Sequence, residues 1–520
     1  MELPPLIKAL LDPRAYPENP EEVRLCQTHI SYLFFTPNFV YKIKKPVNFG
    51  FLDFTSLDKR KHFCEEEVRL NRRLAPSVYI GVVRITAPGR TPFVGVEGEA
   101  VEYAVKMARL PEESILVRAL KAGAVKKETI LRIARAVAEF HKKALTNPYI
   151  SGFGSPDVIR KNTDENFIQT RDFINKTISN ERRKAIKDYT DSFLDNNQGL
   201  FLKRVNEGFI KDCHGDIHCE HISILDGINI FDCIEFNERF RYSDTVADAA
   251  FLSMDLDYQN RHDLTKALDE GYFREASDKD GGFLLDFYKC YRAYVRGKVE
   301  GFKFMEPEIA EDEKALSLVN ARYHFYLADL YSTGGFRPAM VIVSGLSGTG
   351  KSTLARRLSE AINLPRISSD SIRKGLAGLP LHEKRYEPFK KGIYSDEFTE
   401  RTYAALIQEG AGLLRSGRSV ILDATFLNPK HLERAKEAAS KIPGAQCRII
   451  ECTAGADMVK ERLHKRAMEE KPGGVASDGR WEVYLRQKEL YKGITGEGFR
   501  VNTGRPIEES LPDAVRKIFG

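Results

Sequence analysis

No stretch of this chain is apolar and long enough to span a bilayer. Its opening residues, MELPPLIKALLDPRAYPENP, lack the charged start and long apolar segment of a secretory signal. Cysteine is scarce, with 8 residues in 520 and no framework spacing. These absences argue against a membrane protein and a disulfide-built secreted domain, and predict free thiols in a reducing cytoplasm. No basic run with interleaved aromatics is present either, so a strong nucleic-acid surface is not indicated. What remains is ordinary for a globular protein, with 42% hydrophobic and 30% charged residues. The length suggests two to four domains. The net charge of +6 is unevenly spread: from Pro338 onward 31 Lys and Arg face 23 Asp and Glu, whereas the rest has 49 against 51. A basic C-terminal part suits phosphorylated ligands; nucleic acid is possible but not favoured, and plain surface charge explains part of the excess.

Within that basic part, Met340 to Val343 is a short β-branched apolar run that suits a buried parallel strand. It leads into Gly345, Leu346, Ser347, Gly348, Thr349, Gly350, Lys351 and Ser352, a full match to G-x-x-x-x-G-K-[ST]. Thr353 to Leu358 then has helical spacing and no breaker. Strand, glycine loop and helix together form the context of a phosphate-binding loop. Its N–H groups turn inward and the helix N-terminus favours an anion. Lys351 is placed for the terminal phosphates of ATP and the Ser352 hydroxyl for Mg²⁺, with Gly345 to Thr353 as the nucleotide-binding set.

Earlier in the chain, ISYLFFTPNFVYKIKK (30–45) reads as two strands about a Thr-Pro-Asn turn. Period two puts Val40, Lys42 and Lys44 on one face. A helix is expected from about Leu57 to Leu74, then strands in VYIGVVRI (78–85) and AVEYAVKMA (100–108). Glu128 to Lys143 is an amphipathic helix with Ile130, Ile133, Ala134, Val137 and Phe140 inward. A strand lysine with a helix glutamate is the pairing that orders ATP phosphates in protein-kinase-like folds, although most such residues are surface charges.

The segment CHGDIHCEHISIL (213–225), followed by INIFDCIEF (228–236), is sharper. His214-Gly215-Asp216-Ile217-His218 resembles the catalytic loop of the aminoglycoside phosphotransferase and choline kinase family. That resemblance implies Asp216 as the base, Asp232, expected on a strand, as the Mg²⁺ ligand and Asp248 as a supporting carboxylate. It also implies Lys42 as the phosphate lysine, with Lys44 competing, and Glu67 as its helix partner. Two departures stand out. His221 occupies the place where the family keeps a metal-holding asparagine, and imidazole is a poorer Mg²⁺ ligand than an amide oxygen. A Gly-rich loop is also missing from the first lobe. Zinc is the rival use of the Cys213, His214, His218, Cys219, His221 and Cys233 cluster, but no CxxC pair supports it.

After the phosphate loop, RISSDSIR (366–373) resembles the polynucleotide kinase, zeta-toxin and gluconate kinase groups of P-loop kinases. The resemblance implies that Asp370 activates an acceptor hydroxyl and that Arg373 steadies substrate or phosphate. The plainer reading of Asp370 is a helix N-cap, which could coexist with catalysis. SVILDATF (419–426) is a buried strand ending at Asp423, a candidate Mg²⁺ carboxylate. Ala424 follows it, where a hydrolytic motor keeps a glutamate, which favours transfer to a bound acceptor. VKERLHKRAMEEKPGGVASDGRW (459–481) resembles a kinase lid, with Arg462 and Arg466 as phosphate-closing candidates; a plain charged helix face is the other reading of Arg462.

The expected architecture is therefore an α+β protein-kinase-like domain at 1–330, a linker at 331–337, and an α/β P-loop domain with a parallel sheet at 338–520. The expected activity is a bifunctional phosphotransferase that moves the γ-phosphoryl group of Mg·ATP to small-molecule hydroxyls. The alternatives are a nucleic-acid end-processing kinase, or an ATP-binding switch with a non-catalytic first domain.

Overall fold

The computed structural model describes residues 3–381, 383, 390–468, 480–491, 493 and 498–520. The period-two runs of the first hundred residues pair into one antiparallel sheet. Its strands are β1 (Arg24–Gln27), β2 (Ser31–Phe35), β3 (Phe39–Lys44), β4 (Tyr79–Thr86), β5 (Phe93–Val94) and β6 (Ala100–Ala108), in the order β1-β2-β3-β6-β4-β5. The Thr-Pro-Asn turn closes β2 on β3, with the Phe39 N–H donating to the Thr36 hydroxyl at 3.1 Å. One face packs Tyr32, Phe34, Tyr41, Ile43 and Ile85 on the N-terminal segment through Ile7 and Leu10. The other face, with Val40, Val105 and Met107, receives α1 (Leu57–Asn71) through Cys64 and Val68.

Helix α1 begins on Ser56, whose hydroxyl accepts from the Lys59 N–H at 3.2 Å. It ends short of the expected Leu74 because the last turn tightens: the Arg73 and Leu74 N–H groups bond to the Leu70 and Asn71 carbonyls. Helix α2 (Lys127–Lys143) buries the expected Ile130, Ile133, Ala134, Val137 and Phe140. Farther on, β7 (Ile210–Asp212) pairs antiparallel with β10 (Tyr242–Asp244), and β8 (Ile222–Ser223) with β9 (Asn229–Ile230). Only β9 survives from the strand expected over 228–236. Asp232 has φ +62°, a left-handed conformation that breaks a regular strand. Helix α3 (Thr245–Tyr258) follows β10 directly.

The C-terminal sheet is wholly parallel. β11 (Ala339–Ser344), β12 (Arg366–Ser368), β13 (Val420–Asp423), β14 (Gln446–Thr453) and β15 (Phe499–Asn502) lie in the order β12-β13-β11-β14-β15. Every residue of β11 is buried, as a strand covered on both faces requires. From β11 the chain crosses to the edge strand β12, returns inward to β13, and then passes to the other side of β11 for β14 and β15. A ligand crevice therefore opens at the carboxyl end of β11.

Two compact units emerge. One comprises Met1–Lys161, Leu194–Asp255 and Lys266–Tyr288; the other comprises Asn162–Phe193, Leu256–Thr265 and Lys289–Gly520. Compactness thus divides the helical stretch itself and does not cut at 331–337. The reason lies in α4 (Glu311–Ser332), which packs along the C-terminal helix, Ile507–Phe519. There Tyr323 meets Phe519 edge-on at 5.1 Å, and Arg322 Nη1 donates to the Pro512 carbonyl at 2.7 Å.

Candidate active sites

In the second unit, β11 delivers the phosphate loop into α5 (Lys351–Ile362). Gly348 and Gly350 hold φ +81° and +89°, which side-chain-bearing residues adopt only under strain. A Cβ on Gly348 would lie 2.8 Å from Val459 Cγ1, and one on Gly345 2.7 Å from the Cys452 carbonyl. The loop is therefore closed to anything but glycine at these points. Its Ser347 N–H donates to Gln487 Oε1 at 2.8 Å, which ties the loop to the helix Trp481–Leu490. The Ser352 hydroxyl donates to Asp423 Oδ1 at 3.2 Å. Asp423 Oδ2 is buried without a hydrogen-bond partner, and Arg366 Nε lies 3.6 Å away. Burial raises the Asp423 carboxyl above its ordinary range, against the pull of Lys351 and Arg366. A buried carboxylate oxygen without a hydrogen-bond partner beside a serine hydroxyl is a hard-cation donor set, so Ser352 and Asp423 fit Mg²⁺.

Helix α6 (Ser369–Leu376) presents Asp370. Its cap is Ser368, whose hydroxyl accepts the Asp370 N–H at 3.2 Å. The Asp370 carboxylate therefore does not serve as the N-cap. It lines a cavity of about 510 Å³ together with Lys351, Ser347, Arg373, Thr399 and Thr425. Arg373 is largely part of the wall: it donates to the Ile393 carbonyl and, at 3.2 Å, to the Thr399 hydroxyl, and it lies over the Tyr394 ring. On α7 (Ala456–Met468), Arg462 Nη2 donates to the Thr503 carbonyl at 2.8 Å, and its Nη1 lies 3.2 Å from a Cβ placed on Gly350. Arg462 is thus at the phosphate loop, whereas Arg466 lies in the last turn of the same helix. The Pro-Gly-Gly stretch of the expected lid falls outside the described residues.

Sequence reasoning missed part of this wall. His431 Nε2 and Arg434 Nη1 hold Glu400 at 2.8 and 2.6 Å, and the His431 ring stacks on Tyr403 at 4.0 Å. Hydrogen bonds from His431 and then Arg434 keep the Glu400 carboxyl below its ordinary range. These residues come from separate helices and form no motif, so only the fold brings them together.

In the first unit, β3, α1 and the segments after β7 and β9 converge. Lys42 Nζ lies 2.8 Å from Glu67 Oε1 and 2.7 Å from Asp232 Oδ1. Lys44 Nζ reaches Glu67 Oε2 at 2.7 Å and also pairs with Glu235. The two lysines share one glutamate, but their settings differ. Lys44 is 1% exposed and lies over the Phe54 ring; Lys42 faces Asp232, whose side chain is 43% exposed. Burial works against Lys42, yet Asp232 and Glu67 hold its ammonium well above the ordinary range. Burial likewise pushes Asp232 up, but Lys42 and then His221 more than offset it, and the carboxyl sits below its ordinary range.

The His-Gly-Asp loop is pinned from behind. Asp248 accepts the His214 N–H at 2.9 Å and the Gly215 N–H at 2.8 Å, and contacts His141 Nε2 at 3.1 Å. Asp255 accepts the Cys219 N–H at 2.7 Å. Gly215 has φ +87°, and a Cβ there would lie 3.0 Å from the Phe240 carbonyl. His221 spans the two expected functional carboxylates: its Nδ1 is 3.4 Å from Asp216 Oδ2 and its Nε2 is 3.4 Å from Asp232 Oδ2. Asp216, Asp232, His221, Lys42 and Glu67, separated by up to 190 residues, therefore meet in one place. Asp255 was not singled out from the sequence; its only signal was its spacing from Asp248 on the same helix.

A family model described as AAA domain matches residues 340–494, which covers the phosphate loop, Asp370, Asp423 and Arg462. A gluconokinase structure from Sinorhizobium meliloti 1021 is 22% identical and covers 35% of this chain and 92% of its own, with a TM-score of 0.26. A choline/ethanolamine kinase family protein from Mesorhizobium loti is 12% identical over 64% of this chain and all of its own, with a TM-score of 0.37. Among curated sequences, the uncharacterized protein Rv2004c of Mycobacterium tuberculosis (strain ATCC 25618 / H37Rv) is 31% identical over 497 residues, 94% of each chain. With the phosphate loop, the parallel sheet and a likeness that runs nearly end to end, this chain belongs to the same family as Rv2004c.

Proposed function

We propose that the chain is an ATP-dependent phosphotransferase with two separate transfer sites, one in each unit, both acting on hydroxyl groups of small molecules. The observation that carries this reading is the single cavity shared by Lys351 and Asp370. It brings a phosphate-binding lysine and a carboxylate suited to a hydroxyl proton within one small-molecule-sized space. Bound Mg·ATP supplies the γ-phosphoryl group and the cation that neutralises charge on it. The loop N–H groups and Lys351 orient the phosphate chain, and Ser352 with Asp423 holds the cation. Asp370 accepts the acceptor's proton. Arg373, fixed by Ile393 and Thr399, orients the acceptor, and Arg462 closes on the loop.

In the first unit the same division of labour falls to residues far apart in the chain. Asp216 accepts the hydroxyl proton, Asp232 with His221 holds the cation, and Lys42, positioned by Glu67, takes phosphate. Asp248 holds the loop that carries Asp216. The test is a screen for transfer of labelled γ-phosphate over a library of sugars, small alcohols and nucleosides. It compares the full-length wild type with Lys351→Ala, Asp370→Asn and Asp216→Asn. Each of the three variants should lose products the wild type makes. Full transfer by Lys351→Ala would overturn the reading of the second unit. An unchanged product set from Asp216→Asn would make the first unit a binding domain.

A further inference from the structure

We infer that the His221–Asp232 pair selects a borderline first-row divalent cation, of the manganese-to-zinc class, over magnesium. The inference rests on the reading of Asp232 as a metal ligand and goes beyond it by naming the class of ion. His221 Nδ1 lies 3.1 Å from the main-chain oxygen of Asp216. A carbonyl only accepts, so Nδ1 carries a proton and donates it. This outer hydrogen bond orients the ring and leaves Nε2 as the ligating nitrogen, a common arrangement behind metal-bound histidine. Nε2 faces Asp232 Oδ2 at 3.4 Å. Ligand atoms sharing one ion at bonds of about 2 Å lie roughly 3 Å apart, so His221 and Asp232 would need little movement to hold one cation.

The surroundings support the pair. Lys42 binds the other oxygen of Asp232 at 2.7 Å and so fixes the carboxylate's orientation. Asp216 Oδ2 lies 3.4 Å from Nδ1, so it backs the ring on the side turned away from Nε2. The Asp232 side chain is 43% exposed, which leaves coordination positions open toward solvent. The imidazole decides the class of ion. Magnesium prefers an all-oxygen octahedron and gives up water reluctantly, whereas imidazole suits the later first-row cations.

The test uses the full-length Asp423→Asn chain, in which the second unit's candidate carboxylate is removed. Cobalt(II) serves as the optical probe, and Mn²⁺ and Mg²⁺ are titrated calorimetrically without nucleotide. The expected result is visible cobalt bands at one equivalent and Mn²⁺ binding at least about tenfold tighter than Mg²⁺. Added His221→Asn should remove the bands and bring the two affinities together, while a melting curve confirms the fold; His221→Gln serves if the asparagine variant melts early. Equal Mn²⁺ and Mg²⁺ affinities that are lost on Asp232→Asn would overturn the inference and leave the metal-site reading intact. Absence of any binding would overturn both.

Discussion

The phosphate loop reaches for anions with main-chain N–H groups and one lysine, and Asp423 keeps an oxygen without a hydrogen-bond partner beside it. In the first unit each charge leans on another: Lys42 on Glu67 and Asp232, Lys44 on Glu67 and Glu235, and His221 between Asp216 and Asp232. A phosphate entering the second unit meets donors already aimed at it. One approaching Lys42 competes with Asp232 for the ammonium. The charges gathered in the first unit are therefore also part of what holds its strands, helix and loops together.

The largest effect is expected from removing one candidate proton acceptor at a time. Asp370→Asn and Asp216→Asn should each slow formation of one product by about 10²–10⁴-fold, as expected for a lost general base, and leave the other product untouched. Rates measured on the two separated products decide it. The next effect is on stability. Glu67→Gln leaves the buried Lys44 and its neighbour Lys42 short of an anion and should destabilise the first unit by about 3–5 kcal/mol, read by calorimetric or denaturant unfolding. Ser352→Ala, in the second unit, should leave the melting profile nearly unchanged. Lys44→Met should resemble Glu67→Gln, whereas Lys42→Met should mainly weaken nucleotide binding at the first site; the reverse would exchange the roles of the two lysines.

A smaller effect depends on pH. Burial, against the pull of Asp248, lowers His214 from an ordinary 6.5 to about 4. The unfolded chain therefore binds a proton at His214 that the folded chain refuses. This contribution to stability is complete above about pH 6.5 and is lost as pH falls toward 4, by roughly 3 kcal/mol at most. His214→Gln should flatten that part of the stability profile. The smallest effect is expected at Arg434, an exposed partner of Glu400. Arg434→Ala should change stability by less than about 1 kcal/mol, because water screens the pair.

The two sites also differ in how far they could be read from residues alone. Everything from Gly345 to Ser352 is local: eight consecutive residues at a strand tip carry the loop, and the strand of Asp423 is a plain apolar run. Lys42, Glu67, Asp216 and Asp232 are scattered, and no periodicity joins them. A family resemblance named them together, while the ambiguity between Lys42 and Lys44 persisted because period two puts both on one face. Geometry separates their settings by burial. The expected strand at Asp232 failed for a local reason, its left-handed backbone, which an aspartate in an apolar run does not announce. Helix boundaries such as Asn71 were short by one turn because the chain tightened at its end. The helix Glu311–Ser332 joined the second unit through aromatic packing with Phe519, a contact across nearly 200 residues of sequence that no linker composition reveals.

We propose that one chain carries two independent transfer sites. The most direct measurement follows labelled γ-phosphate into an acceptor mixture with full-length Lys351→Ala, Asp216→Asn and the double variant. Two sites require two products, each lost in one single variant and kept in the other, with neither formed by the double variant. Loss of every product in Lys351→Ala while Asp216→Asn keeps them all would contradict it.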